Sequence, residues 1–491
     1  MPRQGTSSWF NEEDILRALY QYNPWWLGKS IPESRLKPFR RQDYYKIFGK
    51  LDDDKILALI GPRQVGKTTL VYQLIENLLL KQRPQDILFV LLDDPSLGIS
   101  SAQDVTRILE LYAKSILKKP LEDLGKRVYI FLDEIQSIEN WERVLKRWYD
   151  LSYKIKFTIT GSSSTGIMEG ASEALVGRLY PQIMVPMRFP EYLQFKEKII
   201  SERVKSSNER MRNALKAALT EGKKEELAKI ISEESEGLLP YKDRILVHLN
   251  QYLISGGYPE IAKIESTPDV VPYLRNYLHL TIYKDIIRTG RVRDPIALEN
   301  LVAILAKNSS QIVNRESLGK SLGLKRDTLN AYIHLLKTTF LISEVEFYSE
   351  SRVKRIRREK KIFINDIGLR NVLASALDEQ TLANETEMGR VVETVVADHL
   401  HGLRSSLEYS PFPFLYYWRE RHEVDFVLEP LGKLLAVEVK YRENIEKSDL
   451  EGIMGFARRF MPALRLVVTK NKLGMEGRIF FVPLWLFLLM C

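Results

Sequence analysis

Cysteine is almost absent from the sequence: Cys491 is the single one in 491 residues. That excludes a disulfide framework and any cysteine-based zinc site. Long apolar runs are missing as well. The first residues, MPRQGTSSWFNEED, hold no apolar stretch of the kind a secretory signal carries. The most apolar run, IFFVPLWLFLLM at 479–490, contains Pro483 and falls short of the roughly 20 residues of a spanning helix. It reads as a last core strand followed by a short docked helix. These absences predict a cytoplasmic protein with no membrane partner. A surplus of acid is also lacking, since 73 Lys and Arg face 64 Asp and Glu for a formal charge of +9. Such an excess is modest for this length and fits a nucleic-acid partner. With 45% hydrophobic and 28% charged residues the chain is globular, and its length implies about three or four domains.

What is present begins with ILALIGPRQVGKTT, from Ile56 to Thr69. The aliphatic run has the composition of a buried strand, and GPRQVGKT then fits G-x-x-x-x-G-K-[ST] without mismatch. Gly61 and Gly66 permit backbone conformations a Cβ would obstruct, so the loop Pro62, Arg63, Gln64 and Val65 can wrap a phosphate and turn the N–H groups of the three residues after the proline toward it. Lys67 is placed to reach the β- and γ-phosphates, and Thr68 to hold Mg²⁺. The helix opening there, with Thr69 in its first turn, points its positive end at the anion. Hydrolysis needs a second carboxylate on the metal side and a group to polarise water. Asp133 and Glu134, ending the strand-like YIFLDE, supply both. The extra strand between the two motifs and the acidic pair favour an ATPase of the additional-strand class over a simple kinase. One of Ser162, Ser163 or Ser164, at the tip of KFTITGSSS, can sense the γ-phosphate. Arg178 opens the fifth strand, from which it reaches a neighbouring subunit's nucleotide if the chain is a homo-oligomer; otherwise it is an ordinary surface arginine.

Along the chain, residues 1–50 are polar, and their aromatics Trp25, Trp26, Tyr44 and Tyr45 are expected to pack on the next domain. Residues 51–190 alternate strands and helices, which implies a mostly parallel sheet. Residues 191–290 are expected to form a helical lid. Within it, 197–244 is a charge-rich insertion that Gly222 breaks into two amphipathic helices, read as a solvated hairpin. Residues 291–350 read as three short helices followed by a β-rich EVEFYS, the pattern of a winged helix-turn-helix, with the basic RVKRIRREKK at 352–361 as wing or linker. Residues 351–491 form another α/β unit, a helix at 387–402 preceding the strand-like FLYYWRE, EVDFVLE and LLAVEVKY.

That last unit carries a second constellation. Residues two apart on a strand share a face, so Glu438 and Lys440 point the same way. Twelve residues separate Asp425 from Glu438, and two paired strands can bring them together as an oxygen-rich site for Mg²⁺ or Mn²⁺. Lys440 can position water or neutralise charge there, and Glu393 on the preceding helix can add a ligand.

With both ends read, the chain resembles a family of prokaryotic, notably archaeal, ATPases that join an AAA+-type domain to a C-terminal domain of PD-(D/E)xK nuclease type. The residues that carry the resemblance are YNPWW, GPRQVGKTTL, FLDEIQ, TGSSS, LVGR, GGYPE, KIFINDIGL, GRVVETVVADHL and YWRERHEVDFVLE…AVEVKY. It implies an additional-strand P-loop domain, a helical lid, a winged helix and a restriction-endonuclease-like domain. It further implies ATP binding at Gly61–Thr69, hydrolysis through Asp133 and Glu134, and a nuclease-like site at Glu393, Asp425, Glu438 and Lys440. The insertion at 197–244 departs from the plain pattern, and a second sensor arginine in the lid has only Arg288 and Arg291 as candidates. The expected activity is ATP-dependent processing of DNA or RNA. The alternative is a nucleotide-driven switch or scaffold whose nuclease-like domain binds without cutting.

Overall fold

The computed structural model describes residues 11–99, 101–162, 175–287, 292–377, 383–408 and 415–491. Its contacts divide the chain into two compact units, Met1–Val185 and Pro186–Cys491.

The first unit is a parallel sheet with helices between its strands. Helices α1 (Glu12–Tyr22) and α2 (Gln42–Phe48) come first. Then follow β1 (Ile56–Ile60), α3 (Lys67–Leu79), β2 (Ile87–Leu91), α4 (Ala102–Tyr112), β3 (Val128–Asp133), α5 (Trp141–Asp150), β4 (Ile155–Gly161) and β5 (Leu179–Ile183). The sheet order is β2-β3-β4-β1-β5, with every neighbouring pair parallel, so β4 is the strand inserted between β1 and β3. All five residues of β1 are buried, as their aliphatic run requires. On α5 the stripe Trp141, Leu145 and Trp148 is buried core.

YNPWW covers the edge strand β2. The Asn23 side chain accepts the Phe89 N–H at 2.7 Å and donates to the Phe89 carbonyl at 2.9 Å. Both indole N–H groups, of Trp25 and Trp26, donate to the carbonyl of Ile87. Side chains thus complete the ladder on a strand that would otherwise present an open edge.

In the second unit a helical layer runs through α6 (Phe189–Lys196), α7 (Ser201–Glu221), α8 (Lys224–Leu238), α9 (Lys242–Ser255) and α10 (Thr267–His279). Next come α11 (Pro295–Lys307), β6 (Ile312–Val313), α12 (Arg315–Leu322), α13 (Arg326–Thr338), β7 (Ile342–Phe347), α14 (Arg352–Arg357), β8 (Lys360–Ile364) and α15 (Ile367–Ala374). The C-terminal part holds α16 (Glu385–Leu407), β9 (Tyr416–Arg419), β10 (Glu423–Leu428), β11 (Leu435–Lys440), α17 (Glu451–Phe460), β12 (Leu464–Thr469), β13 (Gly474–Glu476), β14 (Ile479–Pro483) and α18 (Leu484–Met490). The apolar 479–490 run is the expected strand and short helix, buried throughout.

Three expectations change here. The segment expected as a lid belongs to the second unit, where α9 packs on α15 and α6 on α18. The charged insertion is two helices broken at Gly222, but not a solvated hairpin. Val204, Met211, Leu215 and Leu219 of α7 are buried, and Asn208 donates to the carbonyl of Leu489 at 2.6 Å. Its charges obscured a covered apolar face. The boundary expected at 350 also fails, because β8 lies beyond it and pairs with both β6 and β7. β7 further pairs with β9 in parallel, giving one sheet of order β13-β14-β12-β11-β10-β9-β7-β8-β6.

GGYPE and KIFINDIGL, for which the sequence offered no mechanism, meet in one buried joint. Asp366 caps α15 by accepting the Leu369 N–H at 3.1 Å and accepts the Gly257 N–H at 2.8 Å. Asn371 donates to the carbonyls of Leu253 and Ile254, closing the end of α9. A Cβ on Gly257 would stand 2.0 Å from the Met187 carbonyl oxygen, so only glycine fits that approach.

Candidate functional site

In the first unit the phosphate loop leaves the buried end of β1. Gly61 is required by a close approach, since a Cβ there would lie 1.9 Å from the Met184 carbonyl oxygen. Gly66 is required by conformation, with φ +98°. It caps α3 without a side-chain hydrogen bond, which leaves the helix start to a ligand. Arg41 braces the loop by donating to the carbonyls of Val65 and Val185 at 2.9 and 2.8 Å. Lys67 is buried, its ammonium held by the Gly61 and Pro62 carbonyls, each at 2.8 Å. Gln64 and Thr68 are exposed, and Arg63 and Thr69 half-buried.

The phosphate loop and the acidic pair Asp133–Glu134 meet across β4. Thr68 Oγ1 donates to Asp133 Oδ2 at 2.8 Å. The Thr160 hydroxyl donates to the other Asp133 oxygen and accepts the Glu134 N–H at 3.2 Å. Burial, and then the neighbouring Glu134, push Asp133 up to about 6. Glu134 has a left-handed backbone, φ 58°, and its carboxylate accepts from the Gln136 amide, which also donates to Ser162 Oγ at 3.2 Å. Ser162 is therefore linked to Glu134 through Gln136; Ser163 and Ser164 lie outside the described residues, as do Arg288 and Arg291. Thr68 and Asp133 present adjacent hard oxygens, a donor pair that suits Mg²⁺.

Arg178 is not brought to this loop. Its carbonyl accepts the Ile56 N–H at the opening of β1, the opposite end from Gly61, and its side chain pairs with Asp150 at 2.9 Å. Sequence reading missed Thr160, Gln136 and Arg41. The first two had a signal: Thr160 shares a strand face with Thr158 and Ser162, and Gln136 stands two positions after Glu134. Arg41 had none.

In the second unit the register Phe426↔Val437 between antiparallel β10 and β11 sets Asp425 opposite Glu438. Asp425 Oδ2 accepts the Val439 N–H at 2.8 Å. Lys440 pairs with Glu438 Oε1 at 2.7 Å, while Glu438 Oε2 is buried without a hydrogen-bond partner among the described residues. Burial, and next Asp425, raise Glu438 well above the usual carboxylate range and bring Glu393, on α16, up to about 7. The four expected residues are thus brought together.

A fifth was missed. Lys361, on β8 and 2% exposed, ion-pairs with Glu423 and stands 3.8 Å from Asp425 Oδ1. In sequence it closes the basic block 352–361, and its one signal is that the apolar run IFI follows it directly. Burial opposes its charge, but Asp425, Glu393 and Glu423 outweigh that and hold it protonated. Among the described residues no group of three or more His, Cys, Asp or Glu side chains is arranged to hold a metal ion. The oxygens of Asp425 and Glu438 suit a divalent cation chemically, but their arrangement does not close round one.

Residues 53–193 match a family model described as an AAA domain, and 246–380 and 388–487 match two domains of unknown function. Two uncharacterised proteins of Methanocaldococcus jannaschii are similar to this chain. One is 26% identical over 407 residues, covering 82% of this chain and 78% of the relative. The other is 26% identical over 465 residues, covering 92% and 90%. An uncharacterised protein of Haemophilus influenzae is 22% identical over 410 residues, covering 81% and 86%. A solved Walker-type ATPase of Pyrococcus abyssi aligns with 68% of this chain and 95% of its own at 14% identity, with a TM-score of 0.40. The AAA match over 53–193 and the loop geometry together support an AAA-type P-loop ATPase domain in that part of the chain. The relatives come from both archaea and bacteria. Among the described residues no helix is long and apolar enough to cross a membrane.

Proposed function

We propose that this chain hydrolyses ATP to engage DNA or RNA, in the cytoplasm, and that its C-terminal site cuts the nucleic acid. One observation carries the proposal: Lys361, Glu393, Asp425, Glu438 and Lys440 converge in one largely buried place. Removing charges from water costs several kcal/mol per ion, and apolar side chains would stabilise the fold better. Such a concentration of perturbed groups is characteristic of a working site.

In the first unit Lys67 would neutralise the β- and γ-phosphates, and Thr68 and Asp133 would hold Mg²⁺. Bound Mg²⁺ supplies charge neutralisation at the phosphates. Glu134 would orient and polarise the attacking water, with Ser162 joined to it through Gln136. A role for Arg178 on a neighbouring copy's nucleotide belongs to a homo-oligomer and would require release of Asp150. In the second unit, α11 to β8 would act as a winged helix-turn-helix, with the exposed basic residues of 352–358 meeting phosphates and Lys361, the buried end of that basic segment, serving the site instead. In the nuclease-like site Asp425 and Glu438 offer the oxygens that Mg²⁺ or Mn²⁺ takes, and Lys440 would steady charge on the phosphate.

The test is a cleavage assay with single-stranded, duplex, branched and RNA substrates, with Mn²⁺, with and without ATP. Wild-type protein is expected to cut at least one. Asp425→Ala should be slower by roughly a hundredfold, the scale of losing a charge-stabilising group. Equal cleavage by that variant would remove the cutting role. A second reading, a switch or scaffold that binds without cutting, is favoured by Lys361 and Lys440 already pairing with the site's acids. It predicts no cleavage of any substrate, slow ATP turnover and a protein partner in pull-downs.

A further inference from the structure

We propose that the ammonium of Lys361 is a resident cation of the C-terminal site, which competes with a divalent metal ion for Asp425 and so limits how tightly the site holds that ion. This depends on the reading above that Asp425 and Glu438 take a divalent cation.

Both oxygens of Asp425 are already engaged. Oδ2 accepts the Val439 N–H at 2.8 Å, and Oδ1 faces Lys361 Nζ at 3.8 Å. Glu438 has one oxygen paired with Lys440 and one buried oxygen left over. An ion approaching that free oxygen and Asp425 therefore comes up against Lys361. In a buried site two positive charges a few ångströms apart repel far more strongly than in water. Lys361 is not free to withdraw into solvent, because it is 2% exposed and anchored by its ion pair with Glu423. Among the described residues the cations facing the carboxylates Glu393, Glu423, Asp425 and Glu438 are Lys361 and Lys440, with Arg419 3.8 Å from Glu423 at the rim. Glu438 therefore keeps one buried oxygen that an added cation can meet on displacing a proton, at an affinity that Lys361 reduces.

The experiment is calorimetric titration of the full, nucleotide-free chain with Mn²⁺ alone, using Asp425→Ala as the blank. Lys361→Met is expected to bind Mn²⁺ at least tenfold more tightly than wild type, and Lys361→Arg, which keeps the charge, about as weakly as wild type. Removing Lys361 alone takes the buried counter-charge from Glu423 and Asp425 and can prevent folding. The comparison of Lys361→Met/Glu423→Gln with Glu423→Gln then isolates the same lysine, and the double variant should again be at least tenfold tighter. If wild type binds Mn²⁺ and neither comparison shows tightening, the competition is refuted while the metal reading stands. If no protein shows heat that depends on Asp425, the metal reading falls and takes the competition with it.

Discussion

A Glu134→Gln protein is expected to bind ATP as wild type does and to hydrolyse it at least about a hundredfold more slowly, within the range for loss of a general base. The geometry makes this substitution clean. The backbone at Glu134 is left-handed and fixed by the Thr160 hydroxyl, and the side chain accepts from the Gln136 amide. A glutamine can keep that bond through its carbonyl oxygen while losing the charge that draws a proton from water. Lys67, Thr68 and Asp133 are untouched, so affinity should hold. Equilibrium binding of a fluorescent ATP analogue and a phosphate-release assay separate the two effects. Unimpaired turnover would refute the role given to Glu134. A large loss of affinity would show that it holds nucleotide or metal instead.

The second large effect is on stability. Gly257→Ala is expected to leave the second unit unfolded or greatly destabilised, because its Cβ would lie 2.0 Å from a backbone oxygen that no rotamer change can move. Asp366→Ala should be nearly as severe. It strands the buried N–H groups of Gly257 and Leu369, at about 1–3 kcal/mol each, against a total stability of about 5–15 kcal/mol. The joint also carries a pH signature. Burial pushes Asp366 from 3.8 up to about 7, against the pull of the N–H groups it accepts. The folded state thus holds this proton more firmly than the unfolded chain does. The stability it adds is complete below about pH 3.8 and is lost as pH rises through about 7. Denaturant melts of wild type and Asp366→Asn across that window should show a smaller pH dependence in the variant, whatever its baseline stability.

Much of the first site was legible because its chemistry is local. A buried strand, a glycine-bounded loop and a helix follow one another in sequence, and Asp133–Glu134 close a strand whose composition announces it. The same holds for Glu438 and Lys440, whose spacing fixes a shared face. Legibility ends where a side chain arrives from a strand that is no neighbour of the site. Lys361 comes from β8, which β7 and β9 separate from β10 in the sheet order, so no spacing could join it to Asp425. Asp366, five residues on, is fixed by Gly257, a contact 109 positions away in the chain. The charged helices at 201–238 looked solvated because charge density is visible in sequence and the partner of an apolar stripe is not. The 350 boundary failed for a related reason: the basic α14 reads as a linker, although the chain returns through β8 to complete the same sheet.

In the function proposed for this chain, ATP turnover in the first unit serves nucleic acid held by the second. The direct measurement is the steady-state rate of ATP hydrolysis by the wild-type chain as single-stranded, duplex or branched DNA, or RNA, is added. At least one should raise the rate severalfold, with no such rise in Glu134→Gln. A rate that none of them changes would contradict the coupling.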